Sequence, residues 1–170
     1  MNDIYIGRQP IYDRKLGVYA YELLFRAASD NSAAFTDGDQ ATSDVIVNTF
    51  LEIGLDNIVG SRLAFINLTR AFFIGEHTIS LPKERVVLEL LEDIEADEEV
   101  VSSVKRLSEQ GYSIALDDFI YHESLQPLVQ LADIVKIDIM ALSRDEIRDH
   151  VKALRQHPLR LLAEKVETRE

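Results

Sequence analysis

Cysteine and tryptophan are absent from the 170-residue sequence, and glycine (7) and proline (4) are scarce. Without cysteine there is no disulfide framework, no thiolate metal site and no cysteine nucleophile, and the chain is indifferent to redox compartment. Scarce turn formers beside 46% hydrophobic residues exclude disorder as the main state and leave enough apolar side chains for a sizeable core of one-domain length. Positive charge is also short. Eighteen Lys and Arg against 30 Asp and Glu give a net charge of −12, and no stretch gathers the basic residues. Such a field repels a phosphate backbone, so no nucleic-acid partner is expected. No run approaches the ~18 apolar residues of a membrane span, and the opening MNDIYIGRQP is not a basic segment followed by an apolar one. No membrane partner and a cytoplasmic location are the corresponding expectations.

What is present is an alternation of short β-branched runs with longer helical patterns. Strands are predicted at Ile4 to Tyr12, Val18 to Phe25, Leu63 to Leu68, Arg85 to Leu90, Ser113 to Leu116, Ile134 to Ile139 and Leu159 to Ala163. The first two flank Asp13 to Gly17, a loop suited to an antiparallel hairpin. Helical patterns fill Gln40 to Ile53, Asp97 to Gln110 and Arg144 to Gln156. Gly111 suits a helix C-terminus, Ser143 with Glu146 reads as a capping box, and the acid run Asp93 to Glu99 reads as a helix N-terminus. Strand-helix alternation calls for a parallel α/β sheet, either an open doubly wound sheet or a (β/α) barrel. No Gly-rich phosphate loop follows a strand, and polar residues cluster at strand ends, so the barrel is favoured. A complete barrel takes about 250 residues. One domain spanning 1–170, lacking its last barrel units, is therefore expected.

The strand ends carry the chemistry. Glu22, Asn67, Glu89, Asp117 with Asp118, Lys136 with Asp138, and Glu164 follow one another within or just after apolar runs. One acid in a strand is explained by a solvent-facing position; six strands in succession are not. Converging on one barrel mouth, these carboxylates would repel one another unless divalent cations neutralised them. An all-oxygen donor set points to Mg²⁺ or Mn²⁺, beside a lysine suited to phosphate-ester hydrolysis. Asp138, two residues after Lys136 and so on the same face, is expected to hold that lysine. His77, His122, His150 and His157 share no metal spacing and read as solvated surface; Phe72 and Phe73 read as core or partner-facing. No Gly-x-Ser-x-Gly elbow supports a serine hydrolase.

Seven segments, in order, resemble the EAL family of bacterial cyclic di-GMP phosphodiesterases: RQPIYD, YELLFR, FINL, LELLED, IALDDF, VKID and LLAEKVET. The resemblance implies a TIM-like (β/α) barrel with an opening antiparallel strand pair, incomplete at the C-terminus. It implies that Glu22, Asn67, Glu89 and Asp117 are metal ligands for Mg²⁺ or Mn²⁺, with Asp118 at a second metal. It also implies that Lys136 assists the nucleophilic water and that Glu164 is a further ligand or activator. Arg26 would contact a substrate phosphate, Gln9 would border a guanine, Glu167 would support the substrate or metal site, and Glu92 would brace the loop after the aspartates. The implied reaction opens cyclic di-GMP to the linear dinucleotide.

This sequence also departs from the family pattern. The name motif reads Glu-Leu-Leu, a tolerable apolar exchange. The loop after the aspartates reads DDFIYHESLQP, with Ile120 in place of a glycine, and Lys165 replaces the glycine after Glu164. A β-branched residue adopts positive φ with difficulty. The family's late glutamine motif lies beyond Glu170. The loop variant and the missing proline after YELLFR resemble the subgroup in which an EAL domain precedes an HD-related output domain (HDOD). A homo-oligomer covering the open sheet edge is expected, and the 170 residues alone are expected to bind metal and cyclic di-GMP weakly with little turnover. The alternative is a degenerate EAL domain acting as a nucleotide receptor or protein-interaction module.

Overall fold

The computed structural model describes residues 4–27, 54–75 and 81–166, with only the backbone at 4, 5 and 25–27. The predicted helix from Gln40 to Ile53, His77 and Glu167 lie outside these residues. The chain divides into two compact units, Met1–Val87 and Leu88–Glu170.

In the first unit, β1 (Ile4–Tyr12) pairs antiparallel with β2 (Val18–Ala27), placing Gln9 opposite Glu22. The hairpin closes because the Asp13 carboxylate accepts the backbone N–H groups of Lys15 (2.8 Å) and Gly17 (2.9 Å), an Asx turn. Leu16 takes the left-handed position there, at φ 62°. β2 pairs in parallel with β3 (Leu63–Leu68), from Ala20 opposite Leu63 to Leu23 opposite Ile66. The short helices α1 (Leu55–Val59) and α2 (Arg70–Phe73) flank β3. Ala64, Phe65, Ile66 and Leu68 are all fully buried, the pattern of a strand covered on both faces. Phe72 and Phe73 are core residues. Arg85 fastens the end of α1, donating to Asp56 Oδ1 (2.7 Å) and to the Gly60 carbonyl (2.5 Å).

β4 (Val86–Leu90) leads into the second unit. There α3 (Glu98–Glu109), β5 (Ser113–Leu116), a 3₁₀ turn (Glu123–Leu125), α4 (Gln126–Val129), β6 (Ile134–Asp138), α5 (Arg144–Leu154) and β7 (Arg160–Glu164) follow in order. β5, β6 and β7 are parallel neighbours, with Leu116 opposite Val135 and Asp138 opposite Glu164. The Asp93–Glu99 acid run does start a helix: Asp97 caps α3 by accepting from Val100 N–H (2.8 Å), with Glu98 and Glu99 in the first turn. Val100, Ser103, Val104 and Leu107 form its buried stripe. The helix ends in a Schellman motif: Gly111, at φ 94°, donates to Ser108 O and Tyr112 donates to Leu107 O. Asp133 ties the opposite strand ends together. Its carboxylate accepts from Ile114 N–H, its own N–H donates to Ile114 O, and its carbonyl accepts from Arg160 N–H.

The Ser143 capping box is present, with Ser143 N–H donating to Glu146 Oε2 (2.8 Å) and Glu146 N–H donating to Ser143 Oγ (3.3 Å). Hydrogen bonding from the Ser143 side chain, and then from its backbone N–H, holds the Glu146 carboxyl below its ordinary value. Ser143→Ala is expected to cost about 1 kcal/mol of unfolding free energy, measured by urea denaturation at neutral pH. A lowered carboxylate contributes its stability above the unfolded value and loses it as pH falls through the folded one. In Glu146→Gln, stability should therefore decline less between neutral and acid pH than in the wild type.

The predicted strands were displaced by at most two residues. β6 stops at Asp138, one residue early, because Asp138 Oδ1 turns back to accept from Met140 (2.7 Å) and Ala141 (3.1 Å) N–H. Helices α1, α2 and α4, of 5, 4 and 4 residues, escaped prediction because they are too short to show a helical period. Among the described residues no helix is long and apolar enough to cross a membrane.

Candidate functional site

Two charged side chains are buried among the strands of the second unit, Glu89 in β4 (0% exposed) and Lys136 in β6 (1%). An isolated charge at that depth would cost several kcal/mol, so both must be paired. Lys136 Nζ lies 2.8 Å from Glu89 Oε1, 2.7 Å from Asp117 Oδ1 and 2.9 Å from Glu164 Oε1. One ammonium thus serves three carboxylates from the ends of three different strands. Glu164 shows the cost of withdrawing a carboxylate from water. Burial pushes its carboxyl up to about 7, with Lys136 opposing and Asp117 adding to the rise.

The segment after β5 is fixed by its backbone. Asp117 N–H donates to Leu90 O (2.9 Å) and Phe119 N–H to Lys136 O (3.1 Å). Asp118 N–H donates to Asp117 Oδ1 (3.1 Å). The left-handed position in this segment is Asp118, at φ 39°. The anticipated conflict at Ile120 therefore does not arise: the turn falls on an aspartate, which tolerates it, and Ile120 projects outward, 47% exposed. Carboxylate oxygens of Asp117, Asp118 and Glu164 lie within 4.8 Å of one another. Asp118 Oδ1 and Glu164 Oε2 are shut off from solvent without a hydrogen-bond donor. Buried acceptors with no donor, on an all-oxygen cluster, fit a hard divalent cation.

Lys165, directly after β7, stands where the family pattern has a glycine. It takes a left-handed backbone (φ 55°), and its Nζ donates to Asp118 Oδ2 (3.1 Å) and Asp138 Oδ2 (2.5 Å). These bonds push the Lys165 ammonium above the ordinary lysine range. The same lysine, aided by Met140 and Ala141 N–H and opposed by burial, holds Asp138 below the usual carboxylate range. The expected Asp138–Lys136 partnership is thereby corrected. Asp138 turns to Lys165 and the following backbone, while Lys136 is held by Glu89, Asp117 and Glu164. A shared strand face does not ensure contact, because Lys136 is fully buried whereas Asp138 stands at the strand's open end. The signal for Lys165 was a cation following one strand-end acid where two other strands also end in acids.

In the first unit, Asn67 Nδ2 donates to Glu22 Oε1 at 3.4 Å, leaving Asn67 Oδ1 sheltered without a donor. Glu22 lies opposite Phe65 in the parallel pair, and Asn67 is two residues further along the same face. Gln9 is exposed on β1. Arg26 is placed on β2 by its backbone alone, Glu92 is exposed in the turn after β4, and Glu167 lies outside the described residues. Of the histidines, His122 is exposed and His157 half-buried. His150 departs from the solvated reading, with Nδ1 2.8 Å from Glu146 O and Nε2 sheltered.

The fold is that of EAL-domain structures, an α/β, TIM-like type in which an opening antiparallel strand pair is followed by parallel strands. The Bacillus subtilis YkuI protein, with an EAL domain, in complex with substrate c-di-GMP and calcium, matches with a TM-score of 0.70 at 23% identity, over 98% of this chain and 50% of that one. In sequence the chain is 36% identical over 171 aligned residues to Cyclic di-GMP phosphodiesterase CdgJ of Vibrio cholerae, covering 99% of this chain and 40% of CdgJ. It is 38% identical over 171 aligned residues to Uncharacterized protein YuxH of Bacillus subtilis, covering 98% of this chain and 42% of YuxH. The chain thus spans about two fifths of the length of these relatives. No protein-family model matches it.

Proposed function

We propose that the chain is an EAL-type domain acting in cyclic di-GMP signalling, and that its chemistry is metal-dependent hydrolysis of one phosphodiester bond to give the linear dinucleotide. The observation that carries this reading is the buried Lys136 ammonium surrounded by Glu89, Asp117 and Glu164, beside the sheltered oxygens of Asp118 and Glu164 that have no donor. We assign Asp117, Asp118 and Glu164 as oxygen ligands of Mg²⁺ or Mn²⁺ on their clustering; Glu22, Asn67 and Glu89 are assigned as metal ligands on the strength of the family resemblance. When bound, the cation supplies Lewis-acid polarisation of the phosphoryl oxygen and a more acidic water. Lys136 orients the attacking water and offsets negative charge as it develops on the phosphoryl group. Glu164 serves as a further ligand or as an activator of the attacking water. Arg26 and Gln9 are assigned to a substrate phosphate and guanine, Glu167 to support of the site and Glu92 to bracing the loop.

A second reading, a nucleotide receptor or interaction module without turnover, is favoured by one observation: Lys165 already occupies one oxygen of Asp118. The loop DDFIYHESLQP supports placement beside an HDOD partner domain, and the half-exposed strand β7 supports self-association with a second copy.

Chromatography of cyclic di-GMP incubated with the full-length protein and Mn²⁺ separates the readings. Formation of the linear dinucleotide, lost in Glu22→Ala, is the expected result. Binding by calorimetry without product would support the receptor, and neither binding nor product would contradict both.

A further inference from the structure

Asp118 follows β5 and Asp138 ends β6, so two neighbouring parallel strands bring carboxylates to one point beyond their ends. Two such groups repel unless a cation lies between them. The position is filled: Lys165 Nζ stands 3.1 Å from Asp118 Oδ2 and 2.5 Å from Asp138 Oδ2. Lys165 reaches it from a left-handed backbone, φ 55°, where glycine would sit without strain. Asp118 is thus divided. Oδ2 faces the ammonium, while Oδ1 is sheltered without a donor in the cluster with Asp117 and Glu164.

We infer that the Lys165 ammonium is a built-in cation occupying a second cation position of this site, between Asp118 and Asp138, so that the chain takes one divalent ion beside it rather than two. The inference rests on the proposed binding of a divalent ion by Asp117, Asp118 and Glu164. Lys165 is a positioning residue in this role: it fixes Asp118 so that one oxygen remains for the metal. A tethered ammonium is a point charge that accepts no ligands and polarises no bound water, unlike a divalent ion. Asp138, outside the resemblance-derived ligand set, becomes a cation ligand whose cation is supplied by the chain itself.

The test is Mn²⁺ binding to the purified protein, by equilibrium dialysis with metal analysis and by electron paramagnetic resonance, without substrate. The wild type is expected to hold about one Mn²⁺ per chain with the six-line spectrum of an isolated ion; Lys165→Gly should hold about two, with the broadened signal of coupled neighbours. Glycine suits the left-handed backbone, so this variant should remain folded. Lys165→Arg keeps the charge and should stay at about one. Two ions in the wild type, or one in both wild type and Lys165→Gly, would overturn the inference while leaving the proposed metal site intact. No Mn²⁺ uptake by any of the three proteins would overturn both.

Discussion

Replacing Lys136 by methionine is expected to lower the unfolding free energy of the metal-free protein by about 3–5 kcal/mol, the cost of removing one partner from a buried ionic group. Methionine fills much of the same volume, so the loss comes from charge rather than from a cavity. It would leave Glu89, which is fully buried, together with Asp117 and Glu164 around a site that has lost its ammonium. Against a typical domain stability of about 5–15 kcal/mol this is a large fraction. Urea denaturation in the presence of a chelator reads it directly. Repeating the measurement with millimolar Mn²⁺ should recover part of the loss, because an ion bound only by the folded state stabilises it by mass action. A Lys136→Met protein as stable as the wild type would show that the buried cluster does not depend on its cation.

Glu89→Gln is expected to divide the two properties differently. The amide keeps the shape, and its carbonyl can still accept from Lys136, while Asp117 and Glu164 continue to pair the ammonium. Stability should fall by about 1–3 kcal/mol, from imperfect satisfaction of a buried amide. Mn²⁺ affinity, by contrast, should fall by about 100-fold or more, because an amide replaces an anionic oxygen beside the ion, and turnover should fall at least as far. Mn²⁺ titration paired with urea unfolding on the same preparation separates the two effects. Unchanged Mn²⁺ affinity would remove Glu89 from the ligand set.

The strands were legible because apolar runs of four to ten residues, bounded by polar turns, can be buried in few other ways. Glu89 and Lys136 were legible for the converse reason: a charge inside a run such as VVLEL or IVKID must find a buried partner. Which partner it finds was not legible. The two-residue spacing of Lys136 and Asp138 fixed their common face but not their depth, and depth gave Lys136 to Glu89, Asp117 and Glu164 and gave Asp138 to Lys165. Backbone handedness was hidden too. Ile120 stands where a glycine is expected, yet the left-handed residues beside the acid cluster are Asp118 and Lys165, and only the second coincides with a glycine position of the family pattern. Such assignments depend on how neighbouring strand ends are tied together, as by Phe119 N–H to Lys136 O, and that information is tertiary.

The claim on which both readings of the site rest, metal-dependent recognition of cyclic di-GMP, is tested most directly by calorimetric titration of cyclic di-GMP into the protein, once with Mn²⁺ and once with a chelator, alongside the Asp117→Asn variant. Saturable binding that requires Mn²⁺, and that Asp117→Asn weakens about 100-fold or more, is the predicted result. Absence of binding in the presence of Mn²⁺, or binding indifferent to both the metal and Asp117, would contradict it.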